Sequence, residues 1–73
     1  MNYYEFKYIE TKEAEIINQG DALYYTSAEK DLEEMKNHVR SILQNPLALI
    51  SIPYIKQIDR DTFIYKGGNP NVY

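Results

Sequence analysis

Along residues 3–10, YYEFKYIE, side chains alternate: Tyr4, Phe6 and Tyr8 fall on one side, Glu5 and Lys7 on the other. A period of two in ring-bearing residues predicts a half-buried β-strand. Tyr3 and Ile9 lie on the nominally polar side, so the second face is expected to be partly covered too. Lys12 and Glu13 mark a turn. A short strand over residues 15–18, a turn at Asn18-Gln19-Gly20-Asp21 and an apolar strand-like run over residues 22–25 follow.

The period then changes. Thr26-Ser27-Ala28-Glu29 fits a capping box, with a hydroxyl for an orphan N–H and a carboxylate three residues on to reach back. Tyr25 stands where a hydrophobic staple would. Ala28, Leu32, Met35, Val39, Ile42 and Leu43 then form a stripe roughly 100° wide, as in a helix laid on a sheet. Acids come early (Glu29, Asp31, Glu33, Glu34) and Lys36, His38 and Arg40 later, which complements the helix dipole. Asn45-Pro46 closes a helix over about residues 27–44, because the residue before proline disfavours helical backbone.

Residues 47–52, LALISI, are almost continuously apolar and read as a strand covered on both faces, hence central, or covered by a partner. Pro53 implies a bend or bulge. Residues 54–58 continue the strand, Asp59-Arg60-Asp61 turns the chain, and residues 62–66 supply a last strand. Gly67-Gly68-Asn69-Pro70-Asn71 reads as a flexible turn, and Val72-Tyr73 as a short apolar end rejoining the sheet. The expected fold is α+β, one domain over residues 1–73. A single amphipathic helix packs on a small antiparallel β-sheet, in the order strands, helix, strands. Leu32, Met35, Val39, Ile42 and Leu43 bury against Phe6, Ile50, Ile52 and Phe63.

Length makes that core thin. A chain of 73 residues buries a modest share of its surface, and at about 25 cal/mol per Å² such burial roughly offsets chain entropy. There is no Cys, so disulfides and thiolate metal sites are excluded and a reducing cytosol is compatible. Self-association remains as reinforcement. Eight of the ten aromatics are Tyr, which suits half-buried strands and interfaces. A homodimer is therefore expected, with an interface drawn from Tyr4, Phe6, Tyr8, Ile50, Ile52, Tyr54, Phe63 and Tyr65. The charge of −3 argues against non-specific nucleic-acid binding. No stretch reaches the roughly 20 apolar residues of a membrane span, and the first residues do not form a secretory leader. A cytoplasmic protein without membrane partners is expected.

Candidate chemistry is sparse. Asp59 and Asp61 stand two apart, a spacing that on a strand points two carboxylates the same way, toward a metal or an acid–base pair. Asp is also a preferred turn residue, Arg60 offsets the charge, and no further ligands are marked, so the turn is the reading adopted. His38, the lone histidine, pairs with Glu34 one helical turn away but reads as a solvated side chain. Ser27, Ser41 and Ser51 lie in no nucleophile motif. Lys66-Gly67-Gly68 lacks the spacing of a phosphate loop. Tyr3, Tyr4, Phe6, Tyr8, Tyr54, Phe63 and Tyr65 would make a stacking platform for single-stranded nucleic acid only in a basic groove, which eight Lys and Arg against eleven acids do not supply. The acidic helix face around Glu29, Glu33 and Glu34 reads as solvated rather than as a phosphate mimic. No catalytic, metal or cofactor residues are assigned.

The Ile-, Lys-, Asn- and Tyr-rich vocabulary of a short Cys-free chain resembles the small proteins of AT-rich bacteria and their prophages. That resemblance is compositional and assigns no residue; it implies an accessory role against a host or phage protein. The expected function is a non-enzymatic protein-interaction module, with nucleic-acid binding through an aromatic sheet face as the alternative.

Overall fold

A computed structural model describes residues 1–69 of the chain. The fold is α+β: strands β1 (Asn2–Lys12) and β2 (Glu15–Thr26), helix α1 (Leu32–Leu43), strand β3 (Leu49–Ile58) and helix α2 (Arg60–Tyr65). The sheet is antiparallel, with β1 central in the order β2-β1-β3.

The alternation of β1 is realised. Tyr4, Phe6 and Tyr8 face α1; Tyr4 and Phe6 form the core with Met35, Val39, Ile50, Ile52 and Ile55, flanked by the partly buried Tyr8, Ala22 and Tyr24. Residues 15–26 are one unbroken strand, not two strands around a turn. Gly20 lies mid-strand opposite Tyr8, and a Cβ there would meet the Tyr8 hydroxyl at 3.2 Å, so close approach explains this glycine. The chain reverses at Glu13 and Ala14, with φ of 52° and 66°. Two consecutive left-handed residues make a tight hairpin turn of the kind that usually takes Asn-Gly. Each L side chain there costs roughly 1 kcal/mol. The double variant Glu13→Asn, Ala14→Gly is expected to stabilise the fold by about 1 kcal/mol after allowing for the freer unfolded chain. That corresponds to about 4–8 °C in a thermal melt; an unchanged or lower Tm would contradict it.

α1 begins later than the capping box implies. Thr26 is still paired with Asn2, and its hydroxyl accepts from the Ala28 N–H at 3.1 Å, forming a turn. The cap is Asp31, whose carboxylate accepts from the Glu34 N–H at 2.8 Å. Glu33 and Glu34 in the first turn and Arg40 in the last follow the expected dipole order. Gln44 and Asn45 end the helix; the Gln44 amide donates to the Ala48 carbonyl and the Asn45 side chain accepts from the Leu47 N–H. Of the apolar stripe only Met35 and Val39 are buried, while Leu32, Ile42 and Leu43 overhang the sheet and stay exposed. Tyr25 packs on the opposite face and is no staple for α1.

β3 is an edge strand, not a central one: Leu49 and Ser51 are exposed while Ile50 and Ile52 are buried. Its long apolar run is therefore half in water. The expected irregularity at Pro53 is present. Lys7 pairs with Tyr54 and Ile9 with Ser51, leaving two residues of β3 opposite Tyr8. The extra residue inverts the alternation, so Ile50 and Ile52 before it and Ile55 after it all reach the core.

Residues 62–66, expected as a strand, belong to α2 and its cap. Asp59 is the N-cap, its carboxylate accepting from the Thr62 N–H at 2.7 Å. Asp61 occupies the first turn. At the other end Gly67 has φ of 101° and the Gly68 N–H donates to the Phe63 carbonyl, a left-handed helix stop. Asp59-Arg60-Asp61 is thus a helix start and Lys66-Gly67-Gly68 a helix end. Phe63 does not join the α1 core; it covers the other face of the sheet, 4.9 Å from the Tyr3 ring and 5.7 Å from that of Tyr25. The expected turn at Pro70-Asn71 and the strand at Val72-Tyr73 lie outside the described residues.

Candidate interaction surface

The register assigns every strand residue to a face, because directly paired residues point the same way. The face opposite α1 carries successive rows: Tyr25–Tyr3–Ile58, Leu23–Glu5–Lys56, Asp21–Lys7–Tyr54, Gln19–Ile9–Ser51 and Ile16–Thr11–Leu49. α2 covers the first of these. It is fastened by Lys66, whose ammonium lies 2.9 Å from Glu5, while Lys56 lies 3.1 Å from the same carboxylate. Hydrogen bonds from Lys66 and then Lys56 hold the Glu5 carboxyl below its usual range.

The rows beyond α2 are open. The irregularity opposite Glu10 and Thr11 adds Ile17 to β2, and alternation back from Asn18 turns Ile17 to the same face as Ile16. Ile16 is 57% exposed, Ile17 53% and Leu49 71%. Leu47, 74% exposed, joins Leu49 on a shallow cleft of about 490 Å³ against the hairpin turn at Glu13 and Ala14. On the helix side, Leu43 overhangs a groove of about 350 Å³ floored by Phe6, Tyr8, Ala22 and Ile50, with Glu10 and Asn18 at its rim. The Asn45 amide donates to Glu10 at 2.8 Å, and Tyr24 and His38 share a hydrogen bond of 3.0 Å that ties α1 to β2.

The residues expected at an interface are therefore divided. Tyr4, Phe6, Ile50 and Ile52 are buried beneath α1 and Phe63 beneath its own helix; Tyr8 is half-buried. Tyr54 is exposed, and Tyr65, 91% exposed, points away from the sheet. Among the exposed apolar residues absent from the expected interface, Ile16, Ile17, Leu47 and Leu49 gather at the hairpin-turn end. Their signal was present: Leu47 and Leu49 sit in an apolar run that one strand edge cannot bury on both faces.

The carboxylates of Asp59 and Asp61 do not converge on a further ligand. Asp59 is engaged by the backbone of Thr62, which also lowers its pKa. Among the described residues no group of three or more His, Cys, Asp or Glu is placed to hold a metal ion. Because the folded Asp59 pKa lies below its ordinary value, its cap stabilises above that ordinary value and the effect fades as pH falls through the lowered one. Asp59→Ala is expected to lower Tm by a few degrees at neutral pH, and the gap should close in strong acid. A gap that persists there would rule out the carboxylate as its source. Among the described residues no helix is long and apolar enough to cross a membrane. No protein-family model matches the chain, and no curated protein or solved structure shows significant similarity to it.

Proposed function

We propose that the chain is a non-enzymatic protein-interaction module that works as a homodimer. The observation that carries this reading is the apolar surface left in water at the hairpin-turn end: Ile16, Ile17, Leu47 and Leu49. A fold this small gains little from leaving four large aliphatic side chains wet, whereas covering them in a partner returns the transfer energy of each. The cysteine-free sequence suits a cytoplasmic setting, and the composition suits an accessory protein of a prophage or other mobile element.

The rings that a nucleic-acid platform requires are engaged internally, Tyr4, Phe6 and Phe63 above all. Lys56 and Lys66, which flank the open face, are both turned to Glu5. Titration with a single-stranded oligonucleotide is expected to give no salt-dependent binding.

Sedimentation velocity over a micromolar concentration series tests the dimer directly. A mass of two chains is expected, with a Tm that rises with protein concentration by mass action. A monomer whose Tm is independent of concentration would overturn the reading.

A further inference from the structure

We propose that two copies of this chain join through the outer edges of β2, antiparallel, about a two-fold axis at Gly20, giving one continuous six-stranded sheet. This rests on the homodimer reading; of the exposed aliphatic side chains it engages Ile17 at the seam and leaves Leu47 and Leu49, on the β3 side of the sheet, outside it.

The two sheet edges differ in a way that selects one of them. An unprotected edge is a template for another strand, and folded proteins guard edges with Pro, Lys and bulges. β3 has all three: Pro53, Lys56 and the irregularity opposite Tyr8. β2 is twelve residues long, holds neither Pro nor Lys, and carries only Glu15 and Asp21 as charges; its one irregularity is the extra Ile17 near its start, which leaves Asn18 to Thr26 as a regular edge. Among the described residues no strand pairs with its outer side.

Symmetry and charge then fix the register. Antiparallel strands of one sheet are related by an axis normal to it, so each face continues into the same face of the copy. The axis must therefore pass through a residue that pairs with itself. At Asp21 it would set two carboxylates directly opposite, which is destabilising. At Gln19 it would set the apolar Ile17 against the partner's Asp21, and at Ala22 it would leave Ile17 beyond the regular pairing. At Gly20 it sets Gln19 against the partner's Asp21, Asn18 against the partner's Ala22 and Ile17 against the partner's Leu23. No like charges meet, and Ile17 and Leu23 share the face opposite α1. The pairing needs only residues 17–23.

The chain has no cysteine, so single substitutions give clean cross-linking probes. In this register only a residue on the axis meets its own copy within disulfide reach. Gly20→Cys should oxidise rapidly to a covalent dimer, and Gln19→Cys and Ala22→Cys slowly. The Tyr8 hydroxyl that crowds this position belongs to a side chain able to shift. Separately, Ile16→Lys with Ile17→Lys, both on exposed positions, gives β2 the guard that β3 has. It should convert the dimer to a folded monomer by sedimentation and circular dichroism. A wild-type dimer that survives the lysine pair and fails to cross-link at Gly20 would overturn the edge pairing while leaving self-association standing. Faster cross-linking at Gln19 or Ala22 would overturn the Gly20 register. A wild-type monomer would overturn both readings.

Discussion

Replacing Met35 by alanine is expected to leave most of the chain unfolded at room temperature. Met35 has no exposed surface and lies in the cluster formed by Tyr4, Phe6, Val39, Ile50, Ile52 and Ile55. Truncating a buried Met costs about 2–5 kcal/mol, from lost transfer energy and the cavity left behind. A domain of this length rarely draws more than about 3–5 kcal/mol from its core, so the loss is comparable to the whole stability. α1 depends on this contact, since Met35 and Val39 are its only buried side chains. Met35→Leu keeps the volume and should cost less than about 1.5 kcal/mol. Urea titration followed by circular dichroism separates the cases: a lost cooperative transition for alanine, a retained one for leucine. An alanine variant that melts within a degree or two of the parent would show that the core is not centred here.

Phe63→Ala should release α2 from the sheet. The helix has six residues, too few to persist without tertiary contact. Its anchor is the Phe63 ring against Tyr3 and Tyr25. Removing a buried Phe costs about 3–5 kcal/mol, with the lower end expected because undocking α2 leaves the α1 core intact. Amides of residues 62–68 should then exchange with solvent far faster than those of β1. Gly68→Ala is expected to act in the same direction, because its Cβ would fall 2.2 Å from the Phe63 ring. Unchanged exchange in both variants would mean that α2 is held by something other than Phe63. The tie from Lys66 to Glu5 is a weaker, salt-screened contribution and would not hold the helix alone.

α2 also shows why part of the chain was misread. Its capping signals, Asp59 before and Gly67 after, are both written in the sequence. Over six residues, however, Phe63 and Tyr65 two apart imitate a strand as readily as a helix, and the Asp pair imitates a hairpin corner. The same brevity hid the role of Lys66-Gly67-Gly68. The capping box at Thr26 failed for a different reason: β2 stays paired with β1 through Thr26, and the helix starts only after Asp31, whose carboxylate takes the Glu34 N–H. Of the two turns read in this stretch, the one marked by Lys12 and Glu13 forms, at Glu13 and Ala14, where the β1–β2 ladder closes; Asn18-Gln19-Gly20-Asp21 has turn composition but runs straight through β2.

Some features follow from sequence alone because their causes are local. The period of two makes β1 a strand with Tyr4, Phe6 and Tyr8 on one face. The apolar stripe, the acid-to-base order and Asn45-Pro46 make and end α1. Pro53 forces an irregularity in β3. The absence of Cys removes disulfides. What only the tertiary structure decided are matters of relative position: that β1 and not β3 is central, and that α2 closes one end of the face opposite α1. It also decided that the helix stripe overhangs a narrow sheet and that β2 lies at the sheet edge. A side chain's own sequence sets its propensity and periodicity; whether it ends up covered depends on which strands lie beside it, and that is settled by contacts between residues far apart in the chain.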